Sequence, residues 1–143
     1  MTLVEQLVDV YLNKETWHKD KLSYEESIKY HDALISRGNI ITVSDGDVLC
    51  GYVEFWRLTY ENFGRIICGE PFSALHENVV NGQIAYLANT FIKEEYRKSD
   101  VYKMLKKRFL EANALCTHFV GEARRKKCAP IKVFKRNQVM ERI

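Results

Sequence analysis

Residues 83–114 read QIAYLANTFIKEEYRKSDVYKMLKKRFLEANA, and they join a buried strand, a basic turn and an amphipathic helix. The strand is residues 83–92. Ile84, Ala85, Tyr86, Leu87, Ala88, Phe91 and Ile92 form a nearly continuous apolar run, as a strand covered on both faces requires. The turn is 93–99, with Arg97 and Lys98 at its exit. The helix spans about 100–114. Val101, Met104, Leu105, Phe109 and Ala112 recur at helical spacing and predict one buried face. The first N–H groups of a helix have no partner within it, and the macrodipole adds about half a positive charge there. A strand that hands over to such an end, with two cations beside it, is suited to an anion. The plain alternative is an ordinary strand–helix unit in which Asp100 is the N-cap or a first-turn residue.

Outward from this unit, the chain organises itself by local signals. Leu3, Val4, Leu7, Val8 and Tyr11 predict a first helix over 3–12. Ser23 and Glu26 form a capping box, opening a helix that ends near Ser36 with Gly38 placed to terminate it. Strands are predicted over 40–43 and 48–58, joined at Asp45–Gly46. A long connection follows over 59–82; its centre, 65–68, reads as a short strand fragment broken up by Gly64, Gly69 and Pro71. His76 lies in the same connection and reads as an inert surface histidine. A further strand is predicted over 117–123, and Pro130 suits the first turn of a helix over 129–136. With 143 residues, one domain is expected.

The unit over 83–114 resembles the cofactor-binding segment of the GNAT acyltransferase superfamily. That family places a strand ending in an aliphatic residue before Arg or Gln, two residues, Gly, one residue, and Gly or Ala. Ile92 matches the aliphatic position, Arg97 the arginine, and Tyr96 the tyrosine often found before it. Asp100 and Tyr102 stand where the family prefers glycine, which lets backbone amides approach a pyrophosphate. Two helices followed by a hairpin is also how the family opens. The resemblance therefore runs from the N-terminus to about Phe134 and implies an α/β fold: a mixed, mostly antiparallel sheet with helices on both faces.

The resemblance further implies acetyl-CoA or another acyl-CoA as donor and an amine as acceptor. Phe91, Ile92, Arg97, Lys98, Ser99, Asp100, Val101 and Tyr102 are the expected cofactor-binding residues. Oxyanion stabilisation falls to the backbone around 90–92. Transfer to an amine needs a base, and the carboxylates on central strands are Glu54 and Glu122. Glu54 alternates onto one face with Tyr52 and Trp56; its bland reading is a solvent-facing or salt-bridged residue, and Glu122 beside Arg124 reads equally as an ion pair. The family's proton-donating tyrosine aligns with Phe134, and the asparagine before it with Lys127; Tyr86, Tyr96 and Tyr102 are the substitutes. Residues 139–143 supply at most one of the family's two final strands, so a partner chain, in a homodimer, is expected to cover the open sheet edge.

Composition and charge leave a second class of function open. Residues 93–143 carry 15 Lys/Arg against 6 Asp/Glu, a balance of +9, whereas residues 1–92 carry 7 against 13, a balance of −6. Such a basic half suits CoA phosphates, but it also suits a nucleic acid or an acidic protein engaged through 93–136. The run 124–127 is four consecutive cations without interleaved aromatics, which does not support a stacking platform for single strands. The alternative to a transferase is thus a non-catalytic binding protein on the same fold. A cavity splayed between the strands at 83–92 and 117–123 favours the enzyme, and a cleft filled by Tyr102 favours the binder. The four cysteines, Cys50, Cys68, Cys116 and Cys128, form no CxxC pair and read as free thiols; Cys116 and His118 match no standard metal spacing. No apolar run approaches 18 residues, and the acidic N-terminus does not read as a signal peptide, so a cytoplasmic protein is expected.

Overall fold

The computed structural model describes residues 1–13, 22–68, 82–122 and 131–135. The chain enters through α1 (Leu3–Asn13), where Thr2 and Glu5 cap reciprocally: Thr2 N–H donates to Glu5 Oε1 at 3.0 Å, and Glu5 N–H to Thr2 Oγ1 at 3.2 Å. The predicted capping box opens α2 (Tyr24–Ser36): Ser23 Oγ accepts from Glu26 N–H at 3.2 Å, and Glu26 Oε1 from Ser23 N–H at 3.2 Å. At its far end Gly38 N–H bonds Ile35 O and Asn39 N–H bonds Leu34 O. This Schellman closure needs the φ of +68° that Gly38 adopts without a steric cost.

Two strands follow, β1 (Ile40–Asp45) and β2 (Val48–Leu58), turned at Gly46, whose φ is +61°. Gln6 of α1 clamps this hairpin, donating to Asp47 O at 2.8 Å and accepting from Leu49 N–H at 2.7 Å. Next come α3 (Tyr60–Ile67), β3 (Ile84–Ile92), a 3-10 turn (Glu94–Tyr96), α4 (Val101–Ala112), β4 (His118–Glu122) and β5 (Ile131–Lys135). The sheet order is β1-β2-β3-β4-β5. Only β3 and β4 pair in parallel; the other three pairs are antiparallel. The expected α/β architecture, a mixed and mostly antiparallel sheet with helices on both faces, is the one observed.

Alternation along β2 builds the two faces. Tyr52, Trp56 and Leu58 turn towards α1 and α2, where Leu7, Val10, Leu34, Ile84, Tyr86 and Val120 pack with them. Val53 and Phe55 turn the other way, against Val101, Leu105, Phe109 and Leu110 of α4. The stripe of α4 is rotated from the expected one: Leu110 is buried, while Met104 is 40% exposed and Ala112 is exposed. Arg57 on β2 ties down the end of α4, donating to Asn113 Oδ1 at 3.0 Å and Ala112 O at 3.0 Å.

Two expectations are corrected. Residues 65–67, read as part of a strand fragment, belong to α3, with Cys68 just beyond. Thr59 caps that helix, accepting from Asn62 N–H at 3.1 Å, and Phe63 packs on the core below. The helix predicted over 129–136 is, over 131–135, the strand β5. Its ladder with β4 places Phe134 opposite Phe119 and Ile131 opposite Glu122. An edge backbone needs pairing, and the β-branched residues of IKVFK supply it. Aligning Phe134 with a helical tyrosine therefore has no structural basis, and β5, not β4, is the last described strand of the sheet. Asp100 stands at the N-cap of α4, as its plain reading expected, but makes no side-chain cap, and its neighbour Ser99 accepts the Val101 N–H at Oγ, at 3.3 Å. His76, Lys127, Cys128, the cationic run 124–127 and the segment 139–143 lie outside the described residues.

Candidate functional site

Two irregularities set the geometry of the sheet centre. Between Glu54 and Phe55 the β2–β3 register shifts, so that Asn89 opposes Glu54 while Leu87 opposes Phe55, leaving Ala88 as the extra residue of a bulge. A bulge bends its strand and sharpens the local twist. On the other side, the parallel ladder of β3 with β4 runs from Ile84↔His118 to Leu87↔Gly121, and the described β4 makes no further pairs along β3. The described ladder of β3 with β4 thus ends at Leu87, next to the bulge at Ala88.

A cavity of about 230 Å³ lies beside the end of that ladder, under α4. Val53, Leu87, Leu105, Phe109, Phe119 and Val120 give it an apolar body, while Thr90, Tyr102 and Lys106 add polar groups. Tyr102 is 54% exposed, so it flanks the cavity rather than filling it. Beside it the turn from β3 into α4 is tightly bonded. Lys93 N–H donates to Cys50 O at 2.9 Å, Arg97 Nε to Ile92 O at 3.4 Å, and Ser99 Oγ to Tyr96 O at 2.5 Å. Arg97, Lys98, Ser99 and Asp100 are all exposed at the start of α4, so two cations and one carboxylate face solvent there. Val101 is buried in the α4 core. Phe91 packs on Tyr52 of the opposite face, with ring centroids 5.8 Å apart. The eight expected cofactor residues therefore divide: the exposed turn and Tyr102 lie at a ligand-accessible edge, Ile92 and Val101 support it from within, and Phe91 belongs to the other face.

That other face holds a second cavity, of about 100 Å³, between α1, α2 and the sheet. Glu54 lies in its wall, 8% exposed, and accepts a hydrogen bond from Tyr30 Oη. The solvent-facing reading of Glu54 is thereby corrected, while its expected alternation with Tyr52 and Trp56 is observed. Asn89 Nδ2 donates to Tyr52 Oη at 2.9 Å. His31, 2% exposed, donates from Nδ1 to Ser27 O at 2.8 Å, because a carbonyl only accepts. Tyr30 and Tyr11 meet the His31 ring edge-on at 5.3 and 5.7 Å. Tyr11 Oη accepts from Leu22 N–H at 3.0 Å. Glu122, the other candidate base, is the last residue of β4 and follows Gly121 of the first cavity.

The cavities stand back to back at one level of the sheet. Val53 and Thr90, paired across β2 and β3, wall the apolar one; Glu54 and Asn89, the adjacent pair, wall the polar one. Of the substitute acids, Tyr96 has its pKa raised above the usual phenol value, by a hydrogen bond with Cys50 first and then by their Coulombic interaction. Tyr86 is buried in the α2-side core. Sequence reasoning missed Tyr11, Tyr30, His31, Tyr52 and Asn89 as a set. The available signal was in α2, whose buried face carries Ser27 and His31 ahead of Leu34, polar residues where an apolar stripe was due.

Similarity to solved structures settles the architecture. The protein has the GNAT fold. The loading GNATL domain of CurA from Lyngbya majuscula matches with a TM-score of 0.58 at 12% identity, covering 83% of this chain and 59% of that one. The GNAT-like decarboxylase GphF, in complex with isobutyryl-CoA, matches with a TM-score of 0.61 at 15% identity, covering 83% and 60%. YncA from Salmonella typhimurium, with its cofactor acetyl-CoA, matches with a TM-score of 0.51 at 13% identity, covering 84% and 61%. The GNAT domain described here thus spans about 60% of the length of these chains. No family model and no curated protein matches the sequence. Among the described residues no helix is long and apolar enough to cross a membrane.

Proposed function

We propose that the protein moves an acyl group from an acyl-CoA to an amine, with Glu54 as the base. The observation that carries this reading is the pair of cavities set back to back across 53–54 and 89–90, beside the end of the β3–β4 ladder. A donor approaching from the α4 face and an acceptor approaching from the α1–α2 face meet there, past the edge of β3. GphF and YncA, which share the fold, were solved with isobutyryl-CoA and acetyl-CoA respectively.

The first cavity suits the arm of such a donor: its lining is mostly apolar, and Tyr102 and Lys106 of its wall belong to the helix that follows the turn bearing Arg97 and Lys98. Arg97 and Lys98, with the first amides of α4, answer the phosphates. When bound, the acyl-CoA supplies the carbonyl carbon that the amine attacks and the sulfur that leaves. Glu54 takes the proton that the amine nitrogen sheds, and Tyr30 Oη holds the carboxylate in place. Backbone N–H groups of β3 near the bulge provide donors for the oxyanion. Tyr102, on the wall of the donor cavity, is the residue best placed to return a proton to the departing sulfur. The second reading, a non-catalytic binder of an acidic protein or nucleic acid, draws on Asp100 and Tyr102 at the glycine positions and on the exposed cations Lys103, Lys107 and Arg108 of α4.

Calorimetric titration with acetyl-CoA separates the two. The transferase reading expects micromolar binding that weakens in Arg97→Ala and Lys98→Ala, each removing one phosphate contact. A folded protein that binds no acetyl-CoA overturns it.

A further inference from the structure

We infer that Thr90 is a catalytic residue of the transfer, its hydroxyl donating a hydrogen bond to the thioester carbonyl oxygen of the acyl-CoA. The inference rests on the transferase reading above and adds to it a side chain that acts on the reacting atoms.

The bulge in β3 is the first argument. Ahead of it, Ala85 and Leu87 pack on the α4 side, while Tyr86 and Ala88 pack on the α2 side. Behind it, Asn89 and Phe91 stay with α1 and α2, and Ile92 returns to the α4 side. Ala88 and Asn89 thus share one face, and the alternation restarts one residue late. That shift sets Thr90 opposite Val53 on the wall of the apolar cavity, three residues beyond Leu87. In an unbulged strand, position 90 would share the face of 86 and 88.

Chemistry is the second argument. Of the β3 residues on the α4 side, Ala85, Leu87, Thr90 and Ile92, only Thr90 is polar. It is exposed, and among the described residues its hydroxyl has no hydrogen-bond partner. Such a hydroxyl can donate to a ligand's carbonyl oxygen without giving up a bond within the protein. Position is the third. Thr90 adjoins Asn89, which pairs with Glu54, so the hydroxyl and the proposed base lie at one level of the sheet. The phosphates belong to the turn bearing Arg97 and Lys98, and the acyl end of the donor is the part that must reach the level of Glu54. As the amine attacks, the N–C bond forms and the carbonyl π pair moves onto oxygen, where the Thr90 O–H stabilises it. The pair returns as the C–S bond breaks and the sulfur leaves with its electrons. Thr90 keeps its proton throughout.

The test is infrared spectroscopy of the whole protein with acetyl-CoA isotopically labelled at the acyl carbonyl, which needs no acceptor. The bound carbonyl band is expected at lower frequency than the free one. Thr90→Val should lose about half or more of that shift, and Thr90→Ser, which retains the hydroxyl, should keep it. In calorimetry Thr90→Val should weaken acetyl-CoA by about twofold to tenfold. Binding of CoA itself, which has no acyl carbonyl, should be unchanged, and this also shows the variant to be folded. An unshifted band in the parent, an equal shift in Thr90→Val, or equal weakening of CoA overturns the inference, while acetyl-CoA binding leaves the transferase reading standing. A folded parent that binds no acetyl-CoA removes both.

Discussion

The two cavities differ in almost everything except their position along the sheet. The one under α4 is walled by Leu105, Phe109, Phe119 and Val120, residues that also form the core of that face. The one under α1 and α2 is walled by Tyr30, His31, Tyr52, Glu54 and Asn89, hydrogen-bonded to one another or to nearby backbone. Neighbouring residues, Val53 with Glu54 and Asn89 with Thr90, feed opposite walls because successive strand side chains point to opposite faces. The contrast teaches that one level of a sheet can present an apolar wall on one face and a hydrogen-bonded polar wall on the other, and the two should respond differently to substitution.

The largest effect is expected at Glu54. Glu54→Gln keeps the shape and a hydrogen-bond acceptor for Tyr30, so stability should change by no more than about 1.5 kcal/mol, while acyl transfer falls about 10²–10⁴-fold. Steady-state rates with urea melts check both halves, and a large loss of stability would break the separation of roles. Phe109→Ala probes the other wall. Phe109 meets Phe55 and Phe119 edge-on at 5.3 and 5.7 Å, and its removal should cost about 3–5 kcal/mol in urea denaturation.

Much of the frame behind this contrast was legible in the sequence. Ser23, Glu26 and Gly38 bracket α2, Gly46 turns the hairpin, and the apolar run of β3 passes through a basic turn into α4, because each signal acts over a few residues. The misses have non-local causes. Pro130 pointed to a helix, but the open edge of β4 made a strand of 131–135. Gly64 and the apolar residues beside it suggested a broken strand, whereas Thr59 caps a helix there. The polar cavity was hidden because its walls come from α1, α2, β2 and β3, and only the fold brings Tyr11, Tyr30, Glu54 and Asn89 together.

Smaller effects sharpen the comparison further. Ser23→Ala unpins the start of the helix that carries Tyr30 and His31, and should cost about 1 kcal/mol. Hydrogen bonds from Ser23 hold the Glu26 carboxyl below its ordinary value of 4.5. That contribution is complete above the ordinary value and disappears as pH falls through the lowered one, so the gap between Ser23→Ala and the parent should narrow in acid melts. Gly64→Ala is the control away from both cavities. A Cβ there meets nothing within 4 Å, and the substitution should stabilise α3 by about 0.5–1 kcal/mol with transfer unchanged.

The most direct test of the two-sided account is a backbone amide NMR titration with acetyl-CoA. The amides of Leu87, Arg97, Tyr102 and Gly121, around the apolar cavity and the turn into α4, should shift. Shifts confined to Lys103, Lys107 and Arg108 on the exposed side of α4, or centred on Tyr30 and His31 of the other face, would contradict it.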